Sequence, residues 1–181
     1  VAYQDIADSS GQKKKSAIQN ALVLELLFST GMRVGELCKL LKADINIESG
    51  SLLIMGKGAK ERVLQIGSTS VIELLREHCS QSECPRGALL VNRKGRPLSE
   101  QSVRAIVKKY ALRADTQMHI TPHMFRHSFA TALVEANVDI RCIQKLLGHS
   151  SILTTQIYTD VSTAKQREIL INYHPRNQMN I

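Results

Sequence analysis

His123, Arg126 and His127 put three groups able to hold an anion or move a proton within five residues. At i, i+3 and i+4 they would leave one face of a helix together. Thr121 offers an N-cap and Pro122 a first helical position, which predicts a helix to about Ala136 with Phe125, Phe129, Leu133 and Val134 on its apolar side. Alone, such a pattern reads as a solvated basic face. The company it keeps shifts the weight. Downstream stand Gly148-His149-Ser150-Ser151 and then Tyr158; upstream stand Arg33, with Glu36 three residues on, and Lys57 between two glycines. Two guanidiniums suit the gripping of an anion's oxygens, because each is planar, always charged and able to donate in pairs. A phenol, imidazoles and an ammonium add a nucleophile and proton carriers.

Other chemistries fit less well. Gly56-Lys57-Gly58 lacks the four-residue spacing and the Ser/Thr of a nucleotide-binding loop. His119, His123 and His127 are four apart, but Pro122 starts the helix after the first of them, and no glutamate follows His123 as in zinc hydrolases. Cys79 and Cys84 lack paired metal-ligand spacing, while Cys38 and Cys142 sit in apolar helical patterns as small hydrophobes. The sequence therefore points to no metal and no cofactor, and to reduced cysteines.

The elements that must position these residues are mostly helical. A chain of 181 residues fits one domain or two small ones, by the usual ~100–200 residues per domain. A 43% hydrophobic composition excludes a wholly disordered chain, and the apolar runs are too short for a membrane helix. The excess of 24 Lys+Arg over 16 Asp+Glu, a net +8, favours an anionic partner. Val1–Lys15 reads as a polar lead-in. Helical spacing follows over 16–29 and 33–42, the latter with Val34, Leu37 and Leu41 inward. The period then changes: 45–47, 52–55 and 63–66 read as three short strands of an antiparallel meander. Helices resume over 69–79, 99–113, 121–136, 139–147, 154–158 and 163–171. The fold class is mostly α with a small three-stranded antiparallel β-sheet.

On these residues the chain resembles the tyrosine recombinase (phage integrase) family, C-terminal catalytic domain. Thr30-Gly31-Met32-Arg33-Val34-Gly35-Glu36-Leu37 is similar to the family's first arginine motif, and Gly56-Lys57-Gly58-Ala59-Lys60-Glu61-Arg62 to its hairpin lysine motif. Thr121 to His127 matches the His-x-x-Arg box. Leu146 to Ser151, with Thr154-Thr155-Gln156-Ile157-Tyr158, matches the terminal box. The motifs stand in family order and span about 16 to 176. The resemblance implies one active site of Arg33, Lys57, His123, Arg126, His149 and Tyr158. The arginines would neutralise the non-bridging oxygens of a DNA phosphodiester, with Glu36 bracing Arg33 unless it is a plain surface pair. Tyr158 would be the nucleophile, His123 its general base, His149 a donor to the phosphate and Lys57 the acid for the 5′ oxygen. The 3′-phosphotyrosine bond would store the energy for rejoining, without ATP, as site-specific recombination of mobile DNA requires.

For double-stranded DNA, the candidate backbone contacts are Lys60, Arg62, Arg93, Lys94, Arg104 and Lys108, with Gln101 and Arg104 able to reach base edges. The resemblance divides the chain into a lead-in (1–15), a catalytic domain (16–171) and a tail (172–181) that would dock on a neighbouring subunit. It implies a homo-oligomer, a tetramer on DNA in the full-length form, and a cytoplasmic, nucleoid-associated setting. The family's N-terminal clamp domain is missing, so the chain reads as a fragment or truncated member. Two rival readings remain: a type IB-like topoisomerase, and a non-catalytic regulator using a helix-turn-helix within 129–144.

Overall fold

The computed structural model describes residues 1–56, 61–81, 87–116, 118–148 and 163–173; of residues 163–167 only the backbone is described. In chain order the elements are α1 (Ala2–Ala7), α2 (Gly11–Thr30), α3 (Val34–Lys39), β1 (Ile45–Asn46), β2 (Ser51–Met55), β3 (Glu61–Gln65), α4 (Thr69–Ser80), α5 (Glu100–Arg113), α6 (Pro122–Glu135), α7 (Ile140–Leu147) and α8 (Thr163–Tyr173). The mostly helical architecture with one small meander is the fold class expected from sequence. The strands pair antiparallel in the order β1-β2-β3, with Leu52 opposite Leu64 and Ile54 opposite Arg62. Strand alternation buries Leu52, Ile54 and Leu64 on one face.

α2 is the spine. Ile18, Leu22, Leu26 and Leu27 are fully buried in a core shared with α3, the sheet, α4 and α5. A second cluster joins Phe129 and Leu133 of α6 to Ile143, Leu146 and Leu147 of α7 and to Ile169 and Leu170 of α8. α8 lies so close to the end of the sheet that a Cβ on Gly67 would sit 2.6 Å from the Leu170 carbonyl oxygen. The turn from α2 into α3 is wedged between the two clusters. Gly31 ends α2 at φ +61°, and a Cβ there would meet the Phe129 ring at 2.6 Å. Only glycine fits both the left-handed backbone and the contact.

The sequence expectations need three corrections here. Residues 2–7 are a helix, not a lead-in, and α2 begins at Gly11. Ala2, Tyr3 and Ile6 pack on the main core, while Asp5 accepts from Tyr110 at 2.9 Å and pairs with Arg113. Those partners stand more than 100 residues away, so no local pattern announces the helix. Leu41 is 41% exposed, because α3 stops at Lys39 and the chain extends to bridge Ala88. Val134 is 51% exposed, on the side of α6 turned from Phe129 and Leu133. The helix expected over 154–158 and the tail from 174 lie outside the described residues. No helix among the described residues is long and apolar enough to cross a membrane.

Candidate active site

Arg126 is the buried centre of the site. Its residue is only 7% exposed, in the second turn of α6. Nη1 donates to the Gly31 carbonyl and Nη2 to the Leu147 carbonyl, both at 2.7 Å. These are carbonyls near the ends of α2 and α7, where helical partners run out. One fork of donors therefore ties α2, α6 and α7 together across the seam of the two cores. Burial, with Arg33 and Arg62 nearby, pulls the Arg126 pKa down to about 10, which leaves it charged at neutral pH.

Arg33 is reached from the same turn. After Gly31 the chain buries Met32 and then exposes Arg33 at the N-cap of α3. Its Nη1 donates to Glu36 Oε1 at 3.1 Å and its Nη2 to the Gly148 carbonyl at 3.3 Å. With its side chain 45% exposed, it keeps N–H groups free to face solvent and a ligand.

Glu36 is the brace. Its Oε2 accepts from the Arg33 backbone N–H at 2.8 Å, as the third helical residue does in a capping box. Arg62 then donates Nη1 to Oε1 and Nη2 to Oε2, each at 2.8 Å. Burial alone would push the Glu36 carboxyl up. The Arg62 fork, the Arg33 amide and the Arg33 guanidinium outweigh it and hold the pKa at about 2, against an ordinary 4.5. A pKa depressed on folding stabilises above the unfolded value, and that stabilisation is lost as pH falls from 4.5 to about 2. We expect urea unfolding of Glu36→Gln to show a deficit of about 3 kcal/mol at pH 7 that shrinks steadily below pH 4.5. A deficit that stays constant down to pH 2 would contradict this.

Two clefts meet at Arg33. One, of about 590 Å³, is lined by Arg33, His119, His123, Arg126, Arg104 and Lys108. The other, of about 840 Å³, is lined among others by Arg33, Glu36, Arg62, Gly56, Gly148 and Lys145. The structure thus brings Arg33, His123 and Arg126 of the sequence-derived set to one cleft. Lys57, His149 and Tyr158 lie outside the described residues, as does Lys60. Gly56 and Gly148, which precede Lys57 and His149 in the chain, both line the second cleft. His127, one turn beyond His123, is exposed and lines neither.

The remaining candidates divide. Arg104 and Lys108 line the first cleft, although Arg104 also donates to Glu100 at 2.7 Å. Gln101 is exposed at the start of α5, and Arg93 and Lys94 are exposed on the preceding loop, away from both clefts. Arg62 departs from the expectation of a solvent-facing backbone contact. Its side chain is 15% exposed and its guanidinium is engaged by Glu36. The signal was in the strand: Arg62 alternates in phase with Leu64, which puts it on the inward face of β3. His119, Gln144 and Lys145 border the clefts and had not been singled out for this site.

Cationic and imidazole groups around such a groove suit the binding of a phosphodiester. The comparisons agree with that geometry. The family model described as "Phage integrase family" matches residues 2–165. A tyrosine recombinase of Agathobacter rectalis is 51% identical over 96% of this chain and 58% of its own length. Tyrosine recombinase XerD of Staphylococcus haemolyticus is 41% identical over 90% of this chain and 57% of its own. The chain therefore spans a little under three-fifths of the relatives it matches. Among solved structures, the XerH site-specific recombinase bound to difH substrate superposes with a TM-score of 0.69 at 30% identity, covering 92% of this chain and 50% of that one. With the motifs in order and the match running along most of its length, the chain belongs to the phage integrase family.

Proposed function

We propose that the chain is the catalytic part of a site-specific recombinase that cuts and rejoins double-stranded DNA through a 3′-phosphotyrosine bond, without metal or ATP. The observation that carries this reading is the placement of Arg33 and Arg126 at one cleft through the glycine turn at Gly31. Two fixed guanidiniums there would hold the non-bridging oxygens and offset the charge that shifts in the transition state. Phosphoryl transfer depends mostly on such positioning.

The remaining roles follow from the chemistry of the side chains. The Tyr158 oxygen attacks phosphorus and the bond to the 5′ oxygen breaks. A phenol of ordinary pKa ~10 must lose its proton to do so, and His123, exposed on the cleft in the first turn of α6, accepts it. Lys57 gives a proton to the departing 5′ oxygen, and His149 donates a hydrogen bond to the phosphate. A second 5′ hydroxyl then reverses the steps. Arg104 and Lys108 extend the basic cleft along the DNA backbone. A homo-tetramer on DNA and a cytoplasmic setting complete the reading, and the bacterial origin of the relatives supports a bacterial one.

The test is strand exchange between two end-labelled duplexes that carry the element's attachment sequence. We expect a recombinant strand that joins label from both duplexes. Relaxation of supercoiled DNA without any site requirement would indicate a topoisomerase instead. A mobility shift with neither product would indicate a binding protein that uses α6 and α7.

A further inference from the structure

The inward-facing arginine of β3 has no part in the mechanism above, yet it touches everything around it. Its two Nη atoms take both oxygens of Glu36, so the carboxylate accepts four hydrogen bonds, two from Arg62 and two from Arg33. The flat of the guanidinium lies against Gly148. A Cβ built there would be 3.0 Å from Cζ, Nε and Nη1 of Arg62, and Gly148 itself ends α7 at φ +65°. Arg62 Nε is buried with no hydrogen-bond partner among the described residues.

We propose that Arg62 is a positioning residue for strand cleavage, holding Arg33 through Glu36 and seating the α7 end at Gly148, the residue before His149. The inference rests on the recombinase reading and deepens it. Three segments of the site meet at this guanidinium: the turn that carries Arg33, the end of α7, and β3, which begins four residues after Lys57. Only a planar fork can take both carboxylate oxygens and still offer a flat face to glycine. Lysine could keep the charge and one hydrogen bond, but not the plate beneath Gly148.

The experiment compares wild type, Arg62→Met and Arg62→Lys by two readouts. The first is amide hydrogen exchange at Leu147 and Gly148 against that of Val71–Leu75 in α4. The second is the single-turnover cleavage rate on a nicked attachment-site duplex, measured beside the affinity for the same duplex. We expect Arg62→Met to bind DNA within about threefold of wild type, to cleave about 30- to 300-fold more slowly, and to exchange at 147–148 at least tenfold faster with α4 unchanged. Arg62→Lys should regain part of the rate. If Arg62→Met does not fold, Arg62→Lys carries the same readings.

Cleavage within threefold of wild type would overturn the proposal. So would affinity lost in step with rate, which would make Arg62 a DNA contact, or faster exchange shared equally by α4, which would make it a general stabiliser. A wild type that cleaves nothing would sink the recombinase reading, while the exchange readout would still decide whether Arg62 seats Gly148.

Discussion

Replacing Arg126 with methionine should abolish strand cleavage and also weaken the fold. The side chain is buried, and its Nη1 and Nη2 groups donate to the Gly31 and Leu147 carbonyls. Loss of a charged hydrogen bond to each costs about 1.5–3 kcal/mol, so the variant should lose about 3–6 kcal/mol in urea unfolding. Cleavage should fall by at least about a thousandfold, because a fixed charge at the phosphate is removed and the Gly31 turn that presents Arg33 is loosened. Arg126→Lys should recover part of the stability, since an ammonium can reach one carbonyl but not both, and little of the rate. A variant that loses activity at wild-type stability would show that the carbonyl ties are incidental.

That double dependence explains which parts of the site were legible in the sequence. Arg33, His123 and Arg126 stand out through the family motifs that hold them, since the His-x-x-Arg spacing alone reads as a solvated basic face, and the fold brings the three to one cleft. The Gly31 turn was visible as a helix break. That this glycine faces Phe129 across the seam of two cores was not, since the partner is nearly 100 residues away. Arg62 was read by charge alone and assigned to DNA, although its phase with Leu64 already placed it inward. α1 was missed for the opposite reason. It is only six residues long, too short for a helical period to show, and Asp5 makes sense only with Lys109, Tyr110 and Arg113 beside it. Burial draws the Asp5 carboxyl upward but the Arg113 hydrogen bond, the foremost influence, holds it at about 2 with help from Tyr110 and Lys109. Local pattern marks the candidate groups; long-range packing decides which cations line the cleft and which face the protein.

The proposed reaction turns on a covalent bond between DNA and Tyr158, and a second large effect follows from it. Tyr158→Phe removes one oxygen and no charge, so affinity for an attachment-site duplex should stay within about threefold. The 3′-linked adduct, by contrast, should disappear entirely, because phenylalanine has no oxygen with which to attack phosphorus. The measurement is to trap the adduct on a nicked suicide duplex, digest protein and DNA, and locate the phosphotyrosine by mass spectrometry. The wild type should give a single modified peptide containing Tyr158, and Tyr158→Phe none. An adduct on any other residue, or one that persists in Tyr158→Phe, would contradict it.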